Sequence, residues 1–368
     1  MKKLGFGAMR FPLLDKNDVK SIDYEQVCKM FDAFLEQGFI YVDTAYMYHD
    51  YESERMVKRA LVERHPRESF VLADKLPVMM INTKEEQEQV FQEQLKKCGV
   101  EYFDYYLLHC LNKKNYENVQ KLDSFEFAMQ KKAEGKIRKL GFSFHDDAVL
   151  LEKILKEHPE TEFVQLQINY LDWESEKVQS RLCYEVCEKY DKPVIVMEPV
   201  KGGTLVNDVP EAARLMMKER NPEASAASWA VRFAASHKNV FMVLSGMSDM
   251  EQILDNMSYM KDFKPLQEEE KEMLFKIADI ILSNTEIPCT GCQYCVEGCP
   301  KKIPIPKYFA LYNEFKGIGE SAEAKERYQA VKDAGKAMDC ISCKKCEEHC
   351  PQNLKVAEYM KVVSKAFD

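Results

Sequence analysis

No apolar run in this 368-residue chain reaches the ~18 residues that a membrane-spanning helix needs, so no transmembrane segment is expected. No secretory leader is expected either. MKKLGFGAMRFPLL begins basic, but Arg10 and Pro12 interrupt it before any long apolar stretch, and a cytoplasmic location is expected. An excess of positive charge is lacking: 52 Lys and Arg against 61 Asp and Glu give a formal net charge of −9, which argues against a nucleic-acid partner, since such binding needs clustered cations. The dinucleotide fingerprint G-x-G-x-x-G is also absent, because Gly5, Gly7, Gly202 and Gly203 do not supply its spacing. What is present suffices for a sizeable core, with 46% hydrophobic and 31% charged residues. The length fits one large barrel plus a small appendage.

Cysteine is plentiful and unevenly placed. Eight of the 13 cysteines follow residue 288 and five precede it: Cys28, Cys98, Cys110, Cys183 and Cys187. The late ones repeat one pattern, C-x2-C-x2-C-x3-C-P, as Cys289, Cys292, Cys295, Cys299, Pro300 and as Cys340, Cys343, Cys346, Cys350, Pro351. Three thiolates two residues apart can wrap three corners of an iron–sulfur cubane. In two-cluster ferredoxins the fourth cysteine of each run ligates the other cluster. That rule predicts one 4Fe–4S cluster on Cys289, Cys292, Cys295 and Cys350, and a second on Cys340, Cys343, Cys346 and Cys299. Zinc is the competing reading, but it usually joins two CxxC hooks across a longer spacer. Between the motifs, IPKYFALYNEF and SAEAKERYQAVKDAG read as helices by propensity and apolar spacing. An α-helical ferredoxin-like domain over 285–368 follows. From residue 286 on, the net charge is +1, leaving −10 for the remainder, which also marks the tail as a separate unit. The five early cysteines are expected as packing residues, with a redox role for the Cys183–Cys187 pair the lesser alternative.

Over residues 1–284, short β-branched and aromatic runs alternate with amphipathic stretches. Strands are predicted near residue 7 and at 39–45, 70–76, 102–110, 137–145, 163–170, 193–200 and 240–247. Helices are predicted in YEQVCKMFDAFLEQ, SERMVKRALVE, KEEQEQVFQEQLKKC, SFEFAMQKKAEG, SEKVQSRLCYEVCEKY, MEQILDNM and KEMLFKIADIILSN. About eight such units in about 250 residues indicate an α/β fold, a (β/α)8 TIM barrel.

Chemistry in such a barrel sits at the C-terminal ends of the strands. Asp43 ends the second strand, Lys75 the third and His109 the fourth, and Tyr48 follows Asp43 in the loop at the same face. Their chemistry is complementary. Lys75 is expected to lower the phenol pKa of Tyr48, and Asp43 to keep Lys75 protonated. His109 can orient a carbonyl oxygen, and Tyr48 can protonate that oxygen as hydride reaches the carbon.

The stretches LGFGAMRFP, YVDTAYMY with ESE, LADK, YYLLH, EGKIRKLGFS, QINY and SGMSDMEQILDN resemble, in order, the aldo-keto reductase family, over roughly residues 4 to 257. The whole chain resembles the branch with a C-terminal 4Fe–4S ferredoxin-type domain. The resemblance implies Asp43, Tyr48, Lys75 and His109 as catalytic tetrad and an NADP or NAD cofactor extended across the barrel mouth. Gly7, Asp43, Ser143 and Gln167 would lie near the nicotinamide; Ser245, Gly246, Ser248, Gln252 and Asn256 would hold the adenosine phosphate end. Met197 stands where the family often stacks an aromatic residue. Gln252 replaces an arginine that would favour a 2′-phosphate. These departures leave NAD and even a flavin open.

Hydride moves electrons as a pair, whereas a 4Fe–4S cluster passes them singly, and a flavin bridges the two modes where a nicotinamide does not. Three functions are therefore weighed. The first is an NAD(P)H-dependent reductase of a small carbonyl substrate. The second is a reductase in which a small electron-transfer protein feeds the clusters. The third is a non-catalytic redox sensor, which the complete tetrad disfavours. His49, His145, Trp173, Tyr170 and Phe144 are candidate pocket residues or simple packing.

Overall fold

The structure, a computed structural model, describes every residue except 17, 208, 284, 318–321, 332 and 333. Eight parallel strands close into a barrel in chain order: β1 (Leu4–Gly7), β2 (Tyr41–Asp43), β3 (Val71–Leu76), β4 (Phe103–Leu111), β5 (Ile137–Phe144), β6 (Phe163–Gln167), β7 (Val194–Met197) and β8 (Val240–Ser245), with β8 pairing back onto β1. All eight predicted strands are present. Most stop short of the predicted ends because the last residues of each run leave the sheet to form the mouth loops.

Side chains alternate along each strand, and that period organises the barrel interior. Tyr41, Ala73, Leu107, Phe163, Ile195, Met242 and Leu244 pack into one apolar plug. Two residues further along the same inner faces stand Asp43, Lys75, His109 and Met197. The plug therefore forms the floor on which the polar groups sit. Gly141 lets β5 and β6 approach at this level, since a Cβ there would lie 2.5 Å from the Phe163 carbonyl oxygen.

The helices follow the amphipathic pattern with two local departures. SERMVKRALVE forms a helix only over Ser53–Val57 and then widens into a π-type turn over Lys58–Val62. SEKVQSRLCYEVCEKY is helical only over Ser180–Lys189, because Gln179 adopts a left-handed conformation (φ 54°). Helices at Lys113–Lys121, Ala148–Glu157, Glu211–Arg220 and Ala226–Ala235 lie outside the predicted helical segments.

The chain divides into two compact units, Met1–Val200 with Ala224–Lys271, and Lys201–Glu223 with Glu272–Asp368. The composition shift placed the boundary at 284/285. The structure instead groups residues 201–223 and 272–284 with the tail. Within this second unit, Lys201 Nζ donates to Gln352 Oε1 at 3.3 Å. Gly202 (φ 65°) lies so close to the backbone of Thr290 that a Cβ would stand 2.1 Å from its carbonyl oxygen. Gly202→Ala should therefore lower stability by roughly 1–3 kcal/mol from backbone strain alone, and more from the clash. Chemical denaturation of the anaerobic protein, followed by circular dichroism, checks this.

The tail is helical, with longer helices at Ile305–Gly317, Ala322–Gln329 and Val356–Phe367. Tyr308, Phe309, Tyr312, Phe315, Tyr328, Met360, Val363 and Phe367 form its own core. Part of SAEAKERYQAVKDAG, at 321, 332 and 333, lies outside the described residues.

Candidate active site and cysteine centres

At the barrel mouth, Lys75 Nζ donates to Asp43 Oδ1 at 2.5 Å, to the Thr44 carbonyl at 2.7 Å and to Tyr48 Oη at 3.3 Å. The Tyr48 and His109 rings meet edge to face, with centroids 6.1 Å apart. Lys75 is wholly buried, Asp43 and His109 nearly so, and Tyr48 retains 8% exposure. The four predicted residues thus form one cluster.

Its electrostatics correct one expectation. The Tyr48 pKa lies well above 10, not below it; burial is the main cause, followed by the Asp43, Glu198 and Asp74 carboxylates and Cys110. Desolvation of a phenolate outweighs the nearby ammonium. Tyr48 accordingly holds its proton at neutral pH, the state a proton donor needs. Burial raises the Asp43 pKa against the attraction of Lys75. Burial, then Lys75 and His145, holds the His109 imidazole well below 6.5, so it is neutral.

Residues absent from the sequence reading position this cluster. The β4–β5 register shifts between Leu108 and Leu111, and Cys110 adopts φ 59°. That bulge is clamped from both sides: Cys110 N donates to Ser143 Oγ at 2.8 Å, and Asn115 Nδ2 donates to the Cys110 carbonyl at 2.6 Å. A bulge of this kind re-aims the adjacent side chain, here His109. Nothing in the run YYLLHC marks it, because cysteine carries no preference for positive φ.

The remaining mouth residues are polar and mostly engaged. Ser143 accepts from Cys110. Gln167 Nε2 donates to Asp172 Oδ2 at 2.7 Å. Met197 Sδ accepts from Gln165 Nε2 at 3.4 Å, with no aromatic side chain in its place on β7. Gly7 lies against the Ser245 and Gly246 backbone. Asn256 Nδ2 donates to Ser245 Oγ at 2.9 Å. Ser248 N donates to Gln252 Oε1 at 2.9 Å and Ser248 Oγ to the Arg10 carbonyl at 2.9 Å. The Arg10 side chain runs along Gly246, where a Cβ would lie 3.2 Å from it. Arg10 is a cation at this end that sequence reasoning passed over. Gln252 caps back onto Asp249.

Asp43 Oδ2, His109 Nδ1 and Gln165 Oε1 are buried without a hydrogen-bond partner among the described residues. Orphaned buried polar atoms gathered at one mouth suit a polar ligand carrying hydroxyl and amide groups. Of the five pocket candidates, His145 belongs with them, its charge opposing that of His109. His49 instead holds Phe11 and Val19, accepting from Phe11 N at 3.0 Å through Nε2 and binding the Val19 carbonyl at 2.8 Å through Nδ1. Phe144 and Tyr170 are core residues, and Trp173 stacks on His237.

In the second unit the cysteines gather in the crossed sets. Cys289, Cys292, Cys295 and Cys350 line one cavity of about 320 Å³, including its open mouth. Cys299, Cys340, Cys343 and Cys346 line another of about 370 Å³. Four thiols lining each space, with Ile303, Ile305 and Met360 beside one set and Phe309, Leu354 and Val356 beside the other, fit an iron–sulfur cubane. Burial pushes the Cys346 thiol up to about 11 and raises Cys295 and Cys350, so metal binding there would release protons. Cys183 and Cys187 are buried in the barrel unit, with pKa values raised to about 12 and well above 9, as inert packing thiols should be.

The aldo/keto reductase family model matches residues 3–279, three quarters of the chain. The chain belongs to the aldo/keto reductase family. A 4Fe-4S dicluster domain model matches residues 288–354 of this reductase. Its barrel superposes on an aldo-keto reductase from Bacillus halodurans in holo form, with TM-score 0.59, 24% identity and coverage of 75% of this chain and 91% of that one. An aldo/keto reductase from Klebsiella pneumoniae in complex with NADP and acetate gives TM-score 0.57 at 18% identity, over 75% and 91%. One from Brucella melitensis gives 0.56 at 20%, over 74% and 94%. At these identities the likeness is one of fold. Curated proteins gave no match. No helix among the described residues of the reductase is long and apolar enough to cross a membrane.

Buried histidines should make the reductase acid-sensitive. Burial lowers His145 and His237 to about 4 and His109 further below its ordinary value. A depressed pKa contributes stability that is present above about pH 6.5 and is lost as pH falls through the folded-state value. His237 lies between Trp173, Tyr184 and Phe233, so His237→Phe keeps the aromatic packing and removes the titration. Thermal scans from pH 7 to 4 should show a melting temperature that falls less steeply for the variant.

Proposed function

We propose that this oxidoreductase reduces an aldehyde or ketone at the expense of NADPH or NADH, with Tyr48 as proton donor, in a chain that also carries two 4Fe–4S clusters. The observation that carries the reading is the buried Asp43–Lys75–Tyr48 chain beside a neutral His109. Asp43, Gly7, Ser143, Gln167 and Met197 would surround the nicotinamide, which supplies the hydride when bound. Ser245, Gly246, Ser248, Gln252, Asn256 and Arg10 would hold the phosphates. The family member from Klebsiella pneumoniae was solved with NADP, which supports a nicotinamide here. Arg10 offers a positive charge where the family's arginine is replaced by Gln252.

Each side chain then has one task. His109, neutral, donates a hydrogen bond to the carbonyl oxygen and fixes it near Tyr48. Tyr48 gives its proton to that oxygen as negative charge builds there. Lys75 stabilises the phenolate left behind, and Asp43 holds the ammonium in place. Burial excludes water from the exchange.

The test is anaerobic oxidation of NADPH and NADH followed by absorbance against a panel of aldehydes and ketones. Turnover with at least one carbonyl is expected; no turnover with any, alongside turnover driven by a reduced viologen, overturns the reading. That second outcome would favour clusters feeding electrons singly to the barrel, with a flavin as bridge. Met197 favours this alternative, since the nicotinamide loses a stacking partner there.

A further inference from the structure

We propose that the surface around Cys343 is the docking site of a small acidic one-electron carrier protein, which reduces the cluster held by Cys299, Cys340, Cys343 and Cys346. The inference rests on the reading that both cysteine sets hold 4Fe–4S clusters. Its starting point is an asymmetry between two loops of the same design. Each cysteine run begins with a left-handed residue on either side of its second cysteine: Gly291 (φ 66°) and Gln293 (φ 72°) in the first, Ser342 (φ 54°) and Lys344 (φ 62°) in the second.

Their surroundings differ. Thr290, one residue after Cys289, is 4% exposed and lies under Gly202, and the neighbouring Gln352 receives the buried Lys201 ammonium. Ile341, the equivalent residue after Cys340, is 58% exposed. The whole stretch Ile341–Lys345 is open to solvent, including Cys343, whereas no cysteine of the first set is exposed. One cluster site is covered by the chain and the other is left open.

The open rim has a defined chemistry. Ile341 and Met338, the latter 68% exposed, give it an apolar contact point. Lys301, Lys302, Lys344 and Lys345 are all exposed around it, and Lys301, Ile341 and Lys344 line the cysteine cavity itself. Of the neighbouring acids, Asp339 accepts from Lys336 N and Glu347 Oε1 from Ala357 N, and Glu348 is exposed at the end of the Lys345–Glu348 helix, so the four lysines outnumber the acids at this rim. Outside the tail the chain carries −10, so an acidic partner is disfavoured by the body's net charge and attracted by the lysines of this rim. A small apolar spot ringed by lysines gives steering and rapid release, as a transient electron-transfer contact requires. The step is balanced: the carrier is oxidised by one electron, the cluster is reduced by one, and no bond is made or broken.

The test uses the full-length protein, purified anaerobically with iron and sulfide quantified, and an acidic flavodoxin hydroquinone as donor in stopped flow. The wild-type rate constant should fall steeply with added salt. Lys301→Glu/Lys344→Glu/Lys345→Glu should lower it at least tenfold at low salt, and Ile341→Asp several-fold, with eight irons and both electron-paramagnetic signals retained. Lys325→Glu, on the Ala322–Gln329 helix, none of whose residues line the cysteine cavity, should not change it. Equal rates in wild type and triple variant, both fully loaded, overturn the docking site. A wild-type chain that binds zinc instead of iron overturns the cluster reading beneath it, and is recognised from the metal content before any rate is measured.

Discussion

Tyr48→Phe should lower kcat for carbonyl reduction by roughly 10²–10⁴-fold, the usual worth of a positioned proton donor, with little change in nicotinamide affinity. The variant removes one hydroxyl from a site where Lys75 Nζ stands 3.3 Å away and the ring packs edge-on against His109. Packing is retained, so stability should change little. The raised pKa gives this loss a pH signature. Tyr48 stays protonated beyond pH 10, so the wild-type reduction rate should not decline as pH rises from 7 to 9. The reverse oxidation of an alcohol needs the phenolate and should speed up over the same interval. Lys75→Met should act more severely, since it leaves the Asp43 carboxylate buried without its partner at 2.5 Å. Breaking a buried pair by removing one partner typically costs about 3–5 kcal/mol, so a lower melting temperature should accompany lost activity. A Tyr48→Phe variant with wild-type kcat would remove the phenol from the mechanism.

Cys350→Ala should abolish the cluster of Cys289, Cys292 and Cys295, although Cys350 belongs by sequence to the other run. Iron should drop from about eight to about four per chain, the content of one cubane. Cys299→Ala should do the converse, sparing the first cluster and losing the one at Cys340, Cys343 and Cys346. The two cavities lined by the crossed sets are the basis for this expectation. Cryogenic electron-paramagnetic resonance of the dithionite-reduced variants distinguishes which signal is lost. If each variant instead loses the cluster of its own sequence run, the crossed assignment fails.

Strand order and the tetrad were legible because both follow from a period of two. Asp43, Lys75 and His109 each stand two residues beyond an apolar plug residue, Tyr41, Ala73 and Leu107. The cysteine spacing was legible because ligand geometry constrains it directly. Other features left no local trace. The bulge at His109–Cys110 depends on the bond that Cys110 N donates to Ser143 Oγ, a strand away, and on the one that Asn115 Nδ2 donates to the Cys110 carbonyl. Arg10 reads as an ordinary surface charge until β1 and β8 bring it against Gly246. The pKa of Tyr48 was read with the wrong sign because sequence shows the ammonium neighbour but not the extent of burial or the Glu198 carboxylate. The grouping of residues 201–223 with the tail depends on the approach of Gly202 to Thr290, which no composition shift announces.

The most direct measurement supplies a reduced nicotinamide carrying deuterium at both C4 positions together with a carbonyl substrate under anaerobic conditions, and examines the alcohol by mass spectrometry. Hydride delivery at the barrel mouth predicts one deuterium on the former carbonyl carbon, at the same isotopic content in the far smaller amount of alcohol that Tyr48→Phe forms. An alcohol formed without deuterium would mean that the hydrogen on its carbon did not come from the nicotinamide, contradicting the account.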